Sequence, residues 1–178
     1  MKKVVIINST PRVNGNSECL CKEFAKGAKE AGHRVNIINL RDYNLKYCLA
    51  CYACKETLRC IHNDGMNEIS EMLEKADVIV LSTPVYFYSM SGQLKVFIDR
   101  LIPTYRRIKA DIYLIATQWD ASNQYLERTL EAIRGCTKEC FYDCEEKGVI
   151  YGTCLGDKGE VYQRECYLAE AYELGKKC

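Results

Sequence analysis

Short apolar runs recur along the chain, and each is long enough for one buried strand. The runs are rich in valine and isoleucine without polar alternation, a pattern typical of strands covered on both faces in a parallel sheet. They predict five strands, at residues 4–7, 35–40, 78–81, 112–115 and 149–151.

Between these runs, apolar residues recur three or four positions apart, as on the buried face of an amphipathic helix. Four helices are predicted from Leu20, Phe24 and Ala28; Met66, Ile69 and Leu73; Leu94, Phe97 and Leu101; and Leu126, Leu130 and Ile133. A fifth is predicted over residues 161–176, with Leu168 and Tyr172 facing inward. The alternation predicts an α/β fold with one parallel sheet and helices on both faces.

The length of 178 residues fits one hydrophobic core, so we expect a single domain over residues 1–178. One connection, residues 41–63, contains no helical pattern. Because loops of that length inside compact domains are usually functional, we expect this cysteine-rich insertion to carry part of the activity.

Charge and hydropathy argue against two classes of partner. The chain has 25 Lys and Arg against 24 Asp and Glu, a net charge of +1, and no basic run, so we expect no binding to nucleic acid or to a membrane surface. No apolar stretch approaches the roughly 20 residues of a membrane span. The run at residues 4–7 is also shorter than the roughly 7–15 residues of a secretory signal, so the sequence predicts a cytoplasmic protein with reduced thiols.

A small polar loop, residues 9–17, joins the first predicted strand to the first predicted helix. Free backbone N–H groups, hydroxyl donors and the positive end of a helix dipole together favour an anion such as a phosphate. The candidate contacts are Thr10, Arg12, Asn14, Asn16 and Ser17. An ordinary N-capped helix after a loop remains open as an alternative. No glycine-rich dinucleotide fingerprint follows any strand.

Aromatic residues follow two other predicted strands, at the edge where ligands bind in open parallel sheets. The third strand leads into Pro84, Val85, Tyr86, Phe87 and Tyr88, and the fourth into Thr117, Gln118 and Trp119. Exposed aromatics at this edge favour a planar ring ligand. In the alternative, one or two of the three consecutive aromatics belong to the core.

Together these segments resemble the NAD(P)H-dependent FMN reductase superfamily, in particular its iron-sulfur flavoprotein branch. The family's first loop reads G-S-P-R-x-N-G-N-[ST], and residues 9–17 match it with Ser9 in place of the leading glycine. A second signature, which begins P-V-Y and ends D-R, is similar to residues 84–100. The resemblance covers essentially the whole chain.

The resemblance implies a flavodoxin-like three-layer sandwich whose five parallel strands have the order 2-1-3-4-5. It also implies FMN as cofactor, with its phosphate on the loop at residues 9–17. The flavin ring would lie against residues 84–88 and the turn at residues 117–119. No side chain is nominated as acid or base, because the flavin itself supplies the redox chemistry.

The long connection contains Cys48, Cys51, Cys54 and Cys60, a C-x2-C-x2-C-x5-C pattern. Such compact spacing favours a 4Fe-4S cluster, since structural zinc usually takes two separated C-x2-C pairs. A dithiol or inert thiols remain alternatives, and His62 is a minor alternative ligand. The resemblance implies the four cysteines as cluster ligands, because the iron-sulfur branch has this spacing in this loop.

The other eight of the 12 cysteines carry weaker signals. Cys136, Cys140 and Cys144 are spaced four apart, and the latter two continue the apolar stripe of the fourth helix. We therefore expect them in the core, where cysteine behaves as a small hydrophobe. Asp64 is expected to cap the following helix.

We therefore expect a flavoprotein that passes electrons between a donor, NAD(P)H or a ferredoxin, and an acceptor, with the cluster as one-electron partner of the flavin. The resemblance implies a homodimer or homotetramer. One alternative is a cluster-free NAD(P)H-dependent reductase of FMN or quinones. Another is a non-catalytic zinc or thiol redox sensor on the same fold.

Overall fold

Each predicted apolar run forms a strand of one sheet in the computed structural model, which describes all 178 residues. The strands are β1 (Lys3–Asn8), β2 (Arg34–Asn39), β3 (Val78–Tyr86), β4 (Ser89–Met90), β5 (Asp111–Thr117) and β6 (Glu145–Gly152). The helices are α1 (Asn16–Glu30), α2 (Cys54–Thr57), α3 (Met66–Glu74), α4 (Gly92–Asp99), α5 (Asn123–Thr137) and α6 (Glu165–Lys177). Short 3-10 turns lie at Leu40–Asp42, Tyr105–Arg107 and Glu160–Gln163.

Five of the strands pair in parallel in the order β2-β1-β3-β5-β6. Counted along the chain, this is the predicted order 2-1-3-4-5 of a flavodoxin-like fold. A sixth strand, β4, was not predicted. It pairs antiparallel with the end of β3, with Val85 opposite Met90 and Tyr86 opposite Ser89. Two residues are too few to leave a periodic pattern in the sequence.

The two faces of the sheet are covered by different helices. One core packs α3, α4 and α5 against residues such as Ile7, Leu81 and Leu114. The other packs α1 and α6 against Val80 and Ile115. Both faces are therefore buried, which explains the apolar runs. No helix is both long enough and apolar enough to cross a membrane.

The last helix differs from its prediction. A 3-10 turn occupies Glu160–Gln163, and α6 begins only at Glu165. Its buried residues are Ala171 and Gly175, whereas Leu168 and Tyr172 are half-buried. The reason is a close approach of backbones, because a Cβ on Gly175 would lie 2.0 Å from the carbonyl oxygen of Phe24 in α1.

The prediction that Cys140 lies in the core is wrong. Helix α5 ends at Thr137, and the chain then turns, with the N–H groups of Cys140 and Phe141 both directed to the carbonyl oxygen of Cys136. Phe141 takes the buried position that the stripe assigned to Cys140, which is exposed. Cys136 and Cys144 are partly buried against the core.

Candidate functional site

A cavity of about 220 Å³ lies where the carboxyl ends of β1, β3 and β5 meet the N-terminus of α1. Ten predicted residues line it: Thr10, Arg12, Asn16, Ser17, Pro84, Val85, Tyr86, Thr117, Gln118 and Trp119. Three residues that the sequence did not suggest complete the lining: Gly15, Leu155 and Gly156. Segments far apart in the sequence thus form one site at the edge where open parallel sheets bind ligands.

Three predicted contacts lie outside this cavity. Asn14 is exposed in a left-handed conformation (φ +56°), and its side-chain oxygen accepts a hydrogen bond from Lys22. Phe87 projects fully into solvent. The ring of Tyr88 packs 5.1 Å from that of Tyr125. All three consecutive aromatics are exposed, so the alternative that placed some of them in the core is not met.

One part of the cavity presents hydrogen-bond donors that are free for a ligand. The N–H groups of Asn16, Ser17 and Glu18 have no acceptor in the chain, because the first hydrogen bond of α1 runs from Cys19 to Gly15. These donors and the helix dipole point toward the cavity's polar end. Arg12 is exposed at the mouth, where its Nη1 donates to the carbonyl oxygen of Gly156 at 2.8 Å.

Behind this loop, Glu18 is a buried carboxylate that holds its surroundings in place. It accepts hydrogen bonds from Arg41 Nη1 and from the N–H of Asn14, both at 2.8 Å, and pairs with Lys22. Burial alone would raise the pKa of Glu18, but the hydrogen bonds from Lys22, Arg41 and Asn14 outweigh it and lower that pKa. The carboxylate stays ionised and fixes the shape of the loop.

Asn16 builds a wall of the cavity. Its Nδ2 donates to the carbonyl oxygens of Leu155 (3.1 Å) and Asp157 (2.8 Å). Its Oδ1 accepts from the N–H groups of Gly159 (3.1 Å) and Val161 (3.2 Å). The side chain is therefore fully occupied in fixing residues 155–161 against α1, and only its backbone N–H remains free for a ligand.

Another part of the cavity is lined by aromatic and apolar side chains. Pro84, Val85 and Tyr86 form one side at the end of β3. Trp119 is 80% exposed and lies against Gly156. A Cβ added at Gly156 would come within 2.4 Å of the Cδ1 atom of Trp119. The Gln118 amide donates to backbone oxygens of Asp120 and Ser122 and so supports this turn. Flat apolar walls beside an anion site suit a planar ring that carries a phosphate.

The four cysteines of the long connection line a second, smaller and more enclosed cavity. Cys48, Cys51, Cys54 and Cys60 share it with apolar side chains, which include Leu49, Ile61 and Ile102, and with His62. We call residues 47–63 the cysteine loop. The thiols share the cavity without being gathered into a metal-binding group.

The backbone of the cysteine loop is wound into an uncommon shape. Ala50, Tyr52 and Leu58 have φ values of +51°, +57° and +54°, in the left-handed region that non-glycine residues rarely adopt. Each of the three lies between two successive cysteines of the motif, and the N–H of Ala50 donates to the Sγ of Cys48 at 3.4 Å. These left-handed residues wind the loop tightly between successive cysteines.

Two further observations fit a metal cluster in this cavity. The donor set consists of four sulfurs, the ligands that iron-sulfur clusters take. The Nε2 atom of His62 is buried without a hydrogen-bond partner in the chain. A buried polar atom without a partner costs free energy unless a bound group supplies one. Burial and the neighbouring thiols raise the pKa of Cys54, which favours the protonated form of this thiol.

A buried ion pair lies beside the cysteine loop, and the sequence reasoning missed its role. Asp64 was expected only to cap α3. Its Oδ1 does accept from the N–H of Met66 at 3.4 Å, but its main partner is Arg100, with Nη–Oδ distances of 2.9 and 3.1 Å. Position 100 is visible in the sequence only as the last residue of the second signature.

Comparisons with known proteins show which family the chain is similar to. Residues 2–118 match the model of the family described as NADPH-dependent FMN reductase. An iron-sulfur flavoprotein of Methanocaldococcus jannaschii is 39% identical over 101 residues, which cover 57% of this chain and 52% of that protein. One from Archaeoglobus fulgidus is 32% identical over 103 residues, 58% of this chain and 46% of that protein. The match thus spans about half the length of these relatives.

Among solved structures, the NAD(P)H:quinone oxidoreductase from Methanothermobacter marburgensis superposes with a TM-score of 0.74. The superposition covers 98% of this chain and 96% of that one at 15% sequence identity. A likeness at this identity establishes a common fold.

Proposed function

Because the chain belongs to the NADPH-dependent FMN reductase family, we propose that it is an FMN-dependent oxidoreductase that passes electrons from a reduced donor to an acceptor. We further propose that a 4Fe-4S cluster on the cysteine loop takes part. The observation that carries the proposal is the cavity at the carboxyl edge of the sheet, with free N–H donors at one end and flat apolar walls at the other. On this reading, residues 1–178 form one FMN-binding domain.

The residues proposed to bind FMN are those that the cavity brings together. They are Thr10, Arg12, Asn16, Ser17, Pro84, Val85, Tyr86, Thr117, Gln118 and Trp119, with Gly15, Leu155 and Gly156 added. Asn14, Phe87 and Tyr88 are left out of the set. When bound, FMN would supply acceptance of a hydride and release of single electrons.

The chain's own residues bind, orient and shield the cofactor. The N–H groups at residues 16–18 donate to the phosphate, and Arg12 neutralises part of its charge. The hydroxyl groups of Ser17 and Thr117, 2.6 Å apart, tie α1 to β5 and keep the phosphate end from widening. Pro84, Tyr86 and Trp119 exclude water from the ring.

The proposed cluster ligands are Cys48, Cys51, Cys54 and Cys60. The shared cavity, the left-handed residues between cysteines and the unpartnered His62 support this assignment. A cluster would give a two-electron flavin a one-electron outlet. The spread of the thiols favours the alternative, a reductase without a cluster.

We propose NAD(P)H or a reduced ferredoxin as donor, a cytoplasmic location, and a homodimer or homotetramer as the working form. The exposed aromatic tip at Phe87 and Tyr88 supports association between copies, because aromatic residues are enriched at interfaces.

The test is an anaerobic visible spectrum of the purified protein during titration with NADH, NADPH and reduced ferredoxin. We expect about one FMN per chain, quenching of the single tryptophan, Trp119, when FMN is added to flavin-free protein, and bleaching by one of the donors. A protein that neither holds nor takes up FMN would contradict the proposal.

Iron and acid-labile sulfide analysis after anaerobic reconstitution separates the two forms of the proposal. We expect about four of each per chain. Cys54→Ser should lose the iron and keep FMN, whereas Cys140→Ser, which changes an exposed cysteine outside the loop, should keep both. Less than one iron per wild-type chain would contradict the cluster and support the alternative, a reductase without a cluster.

A further inference from the structure

Arg100 is the largest side chain that is fully enclosed in this protein. It follows the last residue of α4, and the residue as a whole is 2% exposed. Taking a guanidinium out of water is costly unless its donors are satisfied and its charge is paired. Its surroundings therefore indicate what it is there to hold.

Four polar contacts place Arg100 at the neck of the cysteine loop. Its two Nη atoms bind the two carboxylate oxygens of Asp64, at 2.9 and 3.1 Å, and Nη1 also donates to the carbonyl oxygen of Lys46 at 2.5 Å. Asp64 in turn accepts from the N–H of Lys46 at 2.9 Å. The two ends of the loop, at residues 46 and 64, are thus fastened to one another by a single buried ion pair.

One donor of Arg100 is left over. Its Nε atom is buried and has no hydrogen-bond partner in the chain. Cys60 lines the small cavity of the cysteine loop together with Ile102, which lies two residues after Arg100. In agreement with this placement, Asp64 and Cys60 together raise the pKa of Arg100 against the effect of burial. An anionic sulfur is a suitable acceptor for this N–H, because hydrogen bonds that involve charged groups are the strong ones.

We propose that Arg100 is a positioning residue for the cluster site: it closes the neck of the cysteine loop, and its Nε–H donates to the Cys60 sulfur when that sulfur is a metal ligand. The inference rests on the proposed cluster. Hydrogen bonds to ligand sulfurs and nearby positive charge favour the more electron-rich state of an iron-sulfur site and raise its reduction potential.

Arg100→Lys tests the inference, because lysine keeps the charge beside Asp64 but has no second donor placed at the sulfur. The reconstituted protein would be titrated anaerobically, with the midpoint potential of the cluster followed by its visible and EPR signals. We expect iron content close to that of wild type and a midpoint lower by about 59 mV, a tenfold change in the one-electron equilibrium. Arg134→Lys is the matched control, since Arg134 is also buried but binds Glu127, Glu131 and Glu146.

A second variant covers failure of Arg100→Lys to fold. Arg100→Gln combined with Asp64→Asn removes both buried charges together and should also lower the midpoint, with faster loss of iron to a chelator. If either variant loads iron and its midpoint potential equals that of Arg134→Lys, Arg100 has only a structural role. That result would contradict the inference and leave the cluster proposal unaffected. Wild-type protein without iron would overturn the cluster proposal and this inference with it.

Discussion

At the scale of single residues, the loop at residues 9–17 separates two kinds of polar side chain. Asn16 and Ser17 were predicted as phosphate contacts, yet their side chains are engaged in bonds within the protein, to residues 155–161 and to Thr117. Arg12 alone projects a charge at the mouth of the cavity. The sequence predicts which residues surround the anion site, but the division of their roles depends on partners more than 90 positions away.

Replacing Arg12 should therefore weaken the phosphate contact and leave the ring site intact. A hydrogen bond to a charged group contributes about 1.5–3 kcal/mol, so Arg12→Ala should raise the Kd for FMN roughly 10- to 100-fold. Affinity for riboflavin, which lacks the phosphate, should not change. Fluorescence titration of Trp119 with both flavins measures this.

The control for Arg12 is Arg106→Ala, which removes an exposed arginine of the Tyr105–Arg107 turn. It should bind both flavins as wild type does. Equal loss of FMN and riboflavin affinity in Arg12→Ala would show that Arg12 supports the fold of the loop and has no phosphate contact.

Protonation of Asp64 in acid should lower the stability of the folded protein. Burial alone would raise its pKa, but hydrogen bonds from Arg100 and Lys46 lower the pKa to about 2, against about 3.9 in an unfolded chain. The contribution of ionised Asp64 to the free energy of unfolding is thus complete above about pH 5 and is lost as the pH falls toward 2. Of a total of about 2.5 kcal/mol, roughly 1 kcal/mol should be gone at pH 3.

Urea unfolding of iron-free wild type and Asp64→Asn at pH 6 and pH 3 measures this loss. The difference in unfolding free energy between the two proteins should shrink by roughly 1 kcal/mol at the lower pH. Asp143→Asn, which breaks an exposed pair with Lys109, is the control and should change the free energy of unfolding little at either pH, because exposed ion pairs contribute little. A difference for Asp64→Asn that does not depend on pH would contradict the linkage.

At the scale of elements, the strands and helices that could be predicted are those whose buried face leaves an apolar pattern in the sequence. Strands β1, β3 and β5 are covered on both sides, so each contains an uninterrupted apolar run from which it was predicted. The short strand β4 leaves no such mark. On α6, Leu168 packs against the core as predicted. The buried positions Ala171 and Gly175 were missed, because the contact with α1 is made by glycine, which carries no hydrophobic signal. Close backbone contact depends on the partner helix and is absent from any local pattern.

The contact between α1 and α6 can be tested by adding one methyl group. In Gly175→Ala the new Cβ would meet the backbone of Phe24 at 2.0 Å, and overpacking of this kind costs about 1–3 kcal/mol. Gly135→Ala is the matched control, since a Cβ there meets nothing within 4 Å in α5. It should be neutral or stabilise by up to about 1 kcal/mol. Thermal unfolding of both variants compares them, and equal midpoints would contradict the close packing.

At the scale of the whole molecule, the carboxyl edge of the sheet carries both proposed sites. The FMN cavity lies beyond β1, β3 and β5, and the cysteine loop begins shortly after β2 ends. The two cavities have no lining residue in common. Arg41 connects the regions, because it stands just before the loop and its guanidinium binds Glu18 behind the phosphate end. The sequence predicts this shared edge from strand order. Leu155 and Gly156 join the cavity through bonds to distant residues: Asn16 donates to the carbonyl oxygen of Leu155, and Arg12 donates to that of Gly156.

The wall at residues 155–161 also sets an order of events during synthesis on the ribosome. The neck of the cysteine loop is complete once Arg100 has left the exit tunnel, 55 positions before Leu155. At about 5–20 residues per second, this leaves about 3–11 s in which a nascent chain has its cysteine loop but no closed flavin cavity. The four proposed cluster ligands are therefore synthesised well before the last strand and the segment that completes the proposed flavin cavity.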